Sequence, residues 1–166
     1  YKVTVTDVNN CVDSSEINLT QPDSLIGIAS ITTDYNGRDI SCYGLTDGEG
    51  SVVVTGGTQG YSYTWTNSTD TDSILNNVGA GTYKVTVTDL NNCIDSSEIT
   101  LTQPDTLVGI ASITTDYNGR DISCYGLNDG EGSVVVSGGT QVYSYTWTNS
   151  ADTDSILNNV GAGTYK

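Results

Sequence analysis

The chain has 166 residues and a formal net charge of −15, with five Lys and Arg against twenty Asp and Glu and no His. Five cations cannot build the phosphate-binding patch that nucleic acid requires or the basic face that an anionic membrane attracts, and no apolar run is long enough to cross a bilayer. Without His there is no Ser-His-Asp arrangement and no basic partner for a nucleophilic Cys, so an enzyme is not expected.

The first stretch, YKVTVTD, alternates apolar and polar residues with the period of a half-buried strand. It recurs at Tyr83, and TYK closes the chain at Tyr165. The period is 82 residues without insertion or deletion. Residues 1–82 and 83–164 differ at nine positions: Val8/Leu90, Val12/Ile94, Asn18/Thr100, Ser24/Thr106, Ile26/Val108, Thr46/Asn128, Thr55/Ser137, Gly60/Val142 and Thr69/Ala151. A fixed period marks a tandem array, in which each unit contacts its neighbours. The absence of a Met start and of a leader pattern, with edges falling inside the unit, reads as a window from a longer array.

Each unit contains one Pro, Pro22 and Pro104, between two alternating segments, which reads as a joint. The expected division is residues 1–23 as the last strands of one repeat, 24–105 as a whole repeat, and 106–166 as a repeat lacking its last strands. Within 24–105, LIGIASITT is the opening strand with Ile26, Ile28 and Ile31. GLTDGEG supplies Gly and Asp for positive-φ positions. GSVVVTGG is apolar throughout, as suits a central strand. YSYTWT puts Tyr61, Tyr63 and Trp65 on one face. DTDSILNNVGAG gives a short strand and a crossing loop. YKVTVT puts Tyr83, Val85 and Val87 together, DLNNC is a tight hairpin turn, and SEITLT puts Ile99 and Leu101 together. About seven short strands at this spacing predict an all-β fold of tandem immunoglobulin-like (Greek-key) β-sandwich repeats. Trp65 on the third strand and Tyr83 at the start of the penultimate one occupy the places of the core Trp and the tyrosine corner of that architecture. The predicted core is Trp65, Tyr83, Val85, Val87 and Trp147.

The stretches GGTQGYSYTWTN, SILNNVGAGTYKVTVTDLNNC and ISCYGLTDGEGSVVVTGG together resemble the SprB repeat of large Bacteroidota surface adhesins, including a gliding-motility adhesin. The chain departs from that pattern in having Asn10 and Asn92, where Gly usually precedes the turn cysteine, and in a longer opening strand. The resemblance implies a secreted protein, exported by the type IX route and displayed outside the bacterial cell as part of a long filament.

Several groups are candidates for chemistry. Cys11, Cys42, Cys93 and Cys124 form no CxxC pair, which disfavours zinc. They suit disulfides in an oxidising compartment. In one layout Cys42 joins Cys93, leaving Cys11 and Cys124 for flanking repeats; in the other, Cys11–Cys42 and Cys93–Cys124 each bridge a joint. Four buried thiols are the third reading. Asp47, Glu49, Asp89, Asn91 and Asp95 offer oxygen ligands for calcium, although no EF-hand spacing is present and Asp and Asn are also ordinary turn formers. Ser24, Ser73, Thr106 and Ser155 fit an Asp-Ser/Thr-aliphatic O-glycosylation pattern; the N-x-Ser/Thr sequons at Asn18 and Asn67 are lost in the second copy. No other cofactor is implied.

Two functions follow. One is a structural repeat of a surface filament or adhesin stalk, its partners the flanking repeats and other copies in a filament or bundle. The other is an adhesive module that binds a surface glycan or another ligand weakly, with avidity from many copies. Of the nine differences, those at positions 18, 46, 60 and 69 fall at expected exposed sites, which suits the stalk. Residues 1–23 also match the strands missing from 106–166, so strand donation between copies is a variant reading, and a continuous chain explains the same facts more simply.

Overall fold

The computed structural model describes residues 1–166, and every regular element is a β-strand. In chain order these are β1 (Lys2–Thr6), β2 (Val12–Glu16), β3 (Ile26–Ile31), β4 (Gly48–Thr55), β5 (Ser62–Trp65), β6 (Ile74–Val78), β7 (Gly81–Thr88), β8 (Ile94–Leu101), β9 (Val108–Ile113), β10 (Gly130–Ser137) and β11 (Ile156–Val160). All pairings are antiparallel.

Between Ile26 and Leu101, six strands form two sheets, β3-β4-β6 and β5-β7-β8. The expectation was seven; the long DYNGRDISCYGLTD stretch stays irregular and leaves the unit with six. The sheets share one core of Ile40, Val52, Trp65, Leu75, Val78, Tyr83, Val85, Val87, Ile99 and Leu101. On β7, Tyr83, Val85 and Val87 are buried while Thr82 and Lys84 are exposed, since alternate side chains leave opposite faces of a strand. The Tyr83 hydroxyl donates to Gly79 O at 3.1 Å, and the Trp65 indole N–H donates to Asp72 O at 3.0 Å, so both polar tips are paired.

Two local readings change. In GLTDGEG only Gly44 has positive φ. Gly48 and Gly50 lie in β4, where space is the constraint: a Cβ on Gly50 would stand 2.5 Å from Ile99 Cδ1. In β3, Ile26 and Ile28 face outward, and the inward positions are Gly27, Ala29 and Ile31. Small residues fit there because β3 lies against β8. Gly27 N–H donates to Asp95 Oδ2 at 2.8 Å and Ala29 N–H to Ser97 Oγ at 3.1 Å.

The irregular stretch between β3 and β4 is fastened to the end of β8. One carboxylate oxygen makes two of those bonds: Asp39 Oδ2 accepts from the Thr102 N–H and hydroxyl, each at 2.7 Å, and the Ile40 N–H donates to Thr102 O. This drives Ile40 into the pole of the core, where it is fully buried.

Outside this body, β1 and β2 form a hairpin whose residues are all exposed. Strands β9, β10 and β11 form one sheet, in the order β11-β10-β9, with Trp147 and Leu157 buried against it.

Candidate functional site

The turn between β7 and β8 is organised by one carboxylate. Asp89 Oδ1 accepts from the N–H groups of Asn91 (2.9 Å) and Cys93 (2.8 Å), and Oδ2 from Thr58 N–H (2.8 Å). Asn92 sits at φ +64°, the left-handed region that Asn and Gly tolerate. The same turn forms between β1 and β2: Asp7 Oδ1 accepts from Asn9 N–H and Cys11 N–H, and Asn10 has φ +64°. The difference lies in what the turn meets. Asn91 Nδ2 donates to Thr58 Oγ1 at 2.9 Å, fastening the β7–β8 turn to the β4–β5 loop, whereas the β1–β2 turn is exposed throughout.

At the opposite pole, Asp47 binds the Ser41 hydroxyl and accepts from Ser41 N–H at 3.2 Å. Asp129 and Ser123 repeat this contact. The Ser41 hydroxyl, first, holds the Asp47 carboxyl below the ordinary carboxylate range; for Asp89 the leading cause is the Thr58 N–H.

These placements separate the calcium candidates. Asp47 and Glu49 stand at the Thr102 pole, whereas Asp89, Asn91 and Asp95 lie at or beside the β7–β8 turn, at the other end of β8. The carboxylates of Asp47, Asp89 and Asp95 already accept main-chain or hydroxyl hydrogens. No three His, Cys, Asp or Glu side chains converge anywhere. The five candidate oxygen donors are thus split between the two ends of β8, with Glu49 in β4 and Asp95 in β8 itself.

The disulfide expectation is overturned: all four cysteines are free and exposed. Cys42 lies in the segment fastened to Thr102 and Cys93 just precedes Ile94, so the eight residues of β8, about 26 Å of strand, separate them. A disulfide requires Cα atoms within about 7 Å. Strand-end spacing in the sequence pairs them; the direction of β8 places them at opposite poles.

Of the glycosylation candidates, Ser24 and Thr106 are exposed just before β3 and β9. Ser73 and Ser155 are half-buried, their carbonyls accepting from Val52 N–H and Val134 N–H.

One concavity was missed by sequence inspection. A cavity of about 800 Å³ opens on the β9-β10-β11 sheet, lined in part by Ala111, Gly132, Trp147, Leu157 and Tyr165. Each corresponds, 82 residues earlier, to a residue at the core of the six-stranded body: Ala29, Gly50, Trp65, Leu75 and Tyr83. There the space is filled by β8, through Ile99 and Leu101. In the six-stranded body the corresponding residues are covered by both β7 and β8. The 82-residue period was the available signal; it needed the strand order to become a location.

Compared with known families, the SprB repeat matches residues 36–70 and again 118–152. No curated protein and no solved structure matches. The two matched segments begin 82 residues apart and each runs from the Asn-Gly turn before the central strand to the Asp that follows the Trp.

Proposed function

The chain carries two SprB repeats in tandem, and from that premise we propose that it is a structural segment of a long filament or adhesin stalk. SprB repeats are typical of surface adhesins and suggest a cell-surface protein; as a structural repeat family they imply a non-catalytic one. The finer reading is an extended row of beads held outside a bacterial cell, reached by the type IX route. Residues 24–105 make one bead, hinged at Pro22 and Pro104. Residues 1–23 carry the closing hairpin of the bead before, and 106–166 the first sheet of the bead after. The strand orders β3-β4-β6 and β5-β7-β8 support an immunoglobulin-like arrangement for each bead, with Trp65 and Tyr83 in its two signature places.

The observation that carries this reading is the repetition of fine geometry, not of sequence alone. Asn77 and Asn159 have φ +52° and +51°, and Gly37 and Gly119 both +83°. Trp65 and Trp147 each donate to a carbonyl seven residues on, Asp72 and Asp154, at 3.0 Å. Repeating one local solution lengthens an array while each unit keeps its fold.

The test is small-angle scattering on polypeptides with successively more units. An array predicts a maximum dimension that grows by about 30 Å per unit, roughly an eight-residue strand and its turns. A dimension that levels off as units are added would defeat the reading, and saturable binding of a single unit to a glycan would favour the adhesive one.

A further inference from the structure

The two outer faces of the six-stranded body differ in kind. On the β5-β7-β8 sheet the outward residues are mainly hydroxyls: Thr64 stands across from Thr86 and Thr86 from Ser96, with Lys84 across from Glu98. On the β3-β4-β6 sheet they are largely aliphatic. Ile28 stands across from Val53, Ile26 lies two residues before Ile28 on the same face, and Ile74 stands across from Ser51, the next outward residue of β4. All four aliphatic side chains are exposed. The second unit repeats them as Val108, Ile110, Val135 and Ile156. Ile28 and Ile110 are 64% and 65% exposed, and Val53 and Val135 65% and 68%. The inner face of this sheet is covered by β7 and β8 in the first unit and opens on a cavity in the second, yet the outer face is the same in both. In residues 24–105, with chain before and after, it stays uncovered.

Charge and area choose the occupant. Strands β3, β4 and β6 contain one charged residue, Glu49, in a chain with twenty carboxylates. Here two copies of a chain at −15 can approach without setting carboxylate against carboxylate. The same strands contain no Lys or Arg for an anionic lipid surface and no aromatic ring for a sugar to stack on. An aliphatic face interspersed with Ser30, Ser51 and Thr55 matches a second copy of itself, as the facing sides of two packed sheets do. Three strands about 4.8 Å apart and about six residues long present roughly 14 Å by 20 Å, about 300 Å². A stable interface needs about 800 Å² per partner. One unit therefore supplies less than half of what a pair requires, and each further unit that meets its counterpart adds its own share.

We propose that copies of this chain pair side by side through the outer faces of their β3-β4-β6 and β9-β10-β11 sheets, aliphatic face against aliphatic face. The partner is a second copy, and the contact is built from successive weak faces instead of one strong one. Its strength therefore grows with the number of units in the array. The inference rests on the array reading above and assigns the surface by which such arrays bundle.

The test is sedimentation velocity across a concentration series, on the full chain and on a tandem duplication in which residues 1–164 precede residues 1–166. Association should begin at a concentration at least about tenfold lower for the duplication. It should strengthen with sodium chloride, which screens the acidic repulsion and leaves an apolar contact intact. Val53→Glu with Val135→Glu should abolish association at an unchanged circular dichroism spectrum, since both side chains are exposed. Val53→Lys with Val135→Lys should do the same, and an equimolar mixture of the two double variants should associate again. Thr64→Glu, on the opposite sheet, should associate like the unaltered chain. Monomers of both polypeptides at every concentration and salt, association that survives both double variants, a mixture that does not pair, or loss of association in Thr64→Glu would each overturn the proposal. None of these outcomes touches the array reading, whose test is the growth of length with covalent copy number.

Discussion

The carboxylate of Asp89 accepts the main-chain N–H of Thr58 at 2.8 Å, joining the β7–β8 turn to the loop after β4 across the end of the two sheets. That contact, with those from Asn91 and Cys93, holds the Asp89 carboxyl below its ordinary value of 3.8, and hydrogen bonds lower Asp47 and Asp70 in the same direction. A folded-state value below the unfolded one means that the unfolded chain binds more protons through this range. The stabilisation is therefore fully present above the unfolded value and is lost as pH falls through the folded one. Melting temperature should be level above about pH 5 and decline steadily below about pH 4. Asp89→Ala should lower the plateau and flatten part of the decline. A variant whose acid profile superimposes on that of the unaltered chain would remove Asp89 from this role.

The same carboxylate acts on a thiol. Asp89's negative charge, first, and then burial and a hydrogen bond push the Cys93 thiol above its ordinary value. The thiolate is the nucleophile, so a raised thiol reacts slowly at neutral pH. Replacing Asp89 with Asn should speed alkylation of Cys93 by iodoacetamide, read by mass spectrometry of the peptide that contains it. All four cysteines should alkylate without denaturant, since each is free and exposed. Protection of any pair until a reductant is added would restore the disulfide reading.

How much of this was legible in the sequence depends on whether the information was local. Val85 and Val87 are read directly from alternation, because strand periodicity is a property of neighbours. Trp65 and Tyr83 follow from their places in the strand series. Ile40 was invisible: it lies in a stretch without periodicity, and only the Asp39–Thr102 contact explains its burial. The face of β3 was also obscure. Its large residues, Ile26 and Ile28, point out, and Gly27 and Ala29 point in because β8 lies too close for anything larger. The cysteine pairing failed for a related reason, since the sequence gives separation along the chain and the distance between poles is set by the direction of one strand.

The two copies offer a comparison of one side chain in a complete core and in an open one. Leu75 is fully buried among residues of both sheets, so Leu75→Ala leaves a void and should cost about 3 kcal/mol in denaturant unfolding. Leu157 occupies the same position against a single sheet and lines the cavity of about 800 Å³. Leu157→Ala removes contacts on one side only and should cost less than half as much in dilute monomeric chain, because the cavity term is already present. Equal losses at the two positions would mean that the β9-β10-β11 face is covered even in dilute solution.

Gly60 and Val142 are the one pair among the nine differences whose sizes diverge strongly, and their backbones diverge as well. Gly60 has φ +113°, where a side chain is strained, and a Cβ there would approach Leu90 Cβ at 3.4 Å. Val142 has no such φ and projects into solvent, in a segment not drawn into a sheet as β5 is. Valine at position 60 would have to adopt the strained conformation or pull the start of β5 away from the end of β7, where Ser62 pairs with Thr88. Gly60→Val should therefore destabilise the six-stranded body by about 1–3 kcal/mol, the usual cost of a residue held in a sparsely populated backbone region. Val142→Gly, at a side chain that projects into solvent, should change stability by no more than about 0.5 kcal/mol. The pair of measurements, by urea unfolding followed through Trp fluorescence, reads the asymmetry directly: similar costs at both positions would mean that the turn before β5 relaxes freely and that φ at Gly60 constrains nothing.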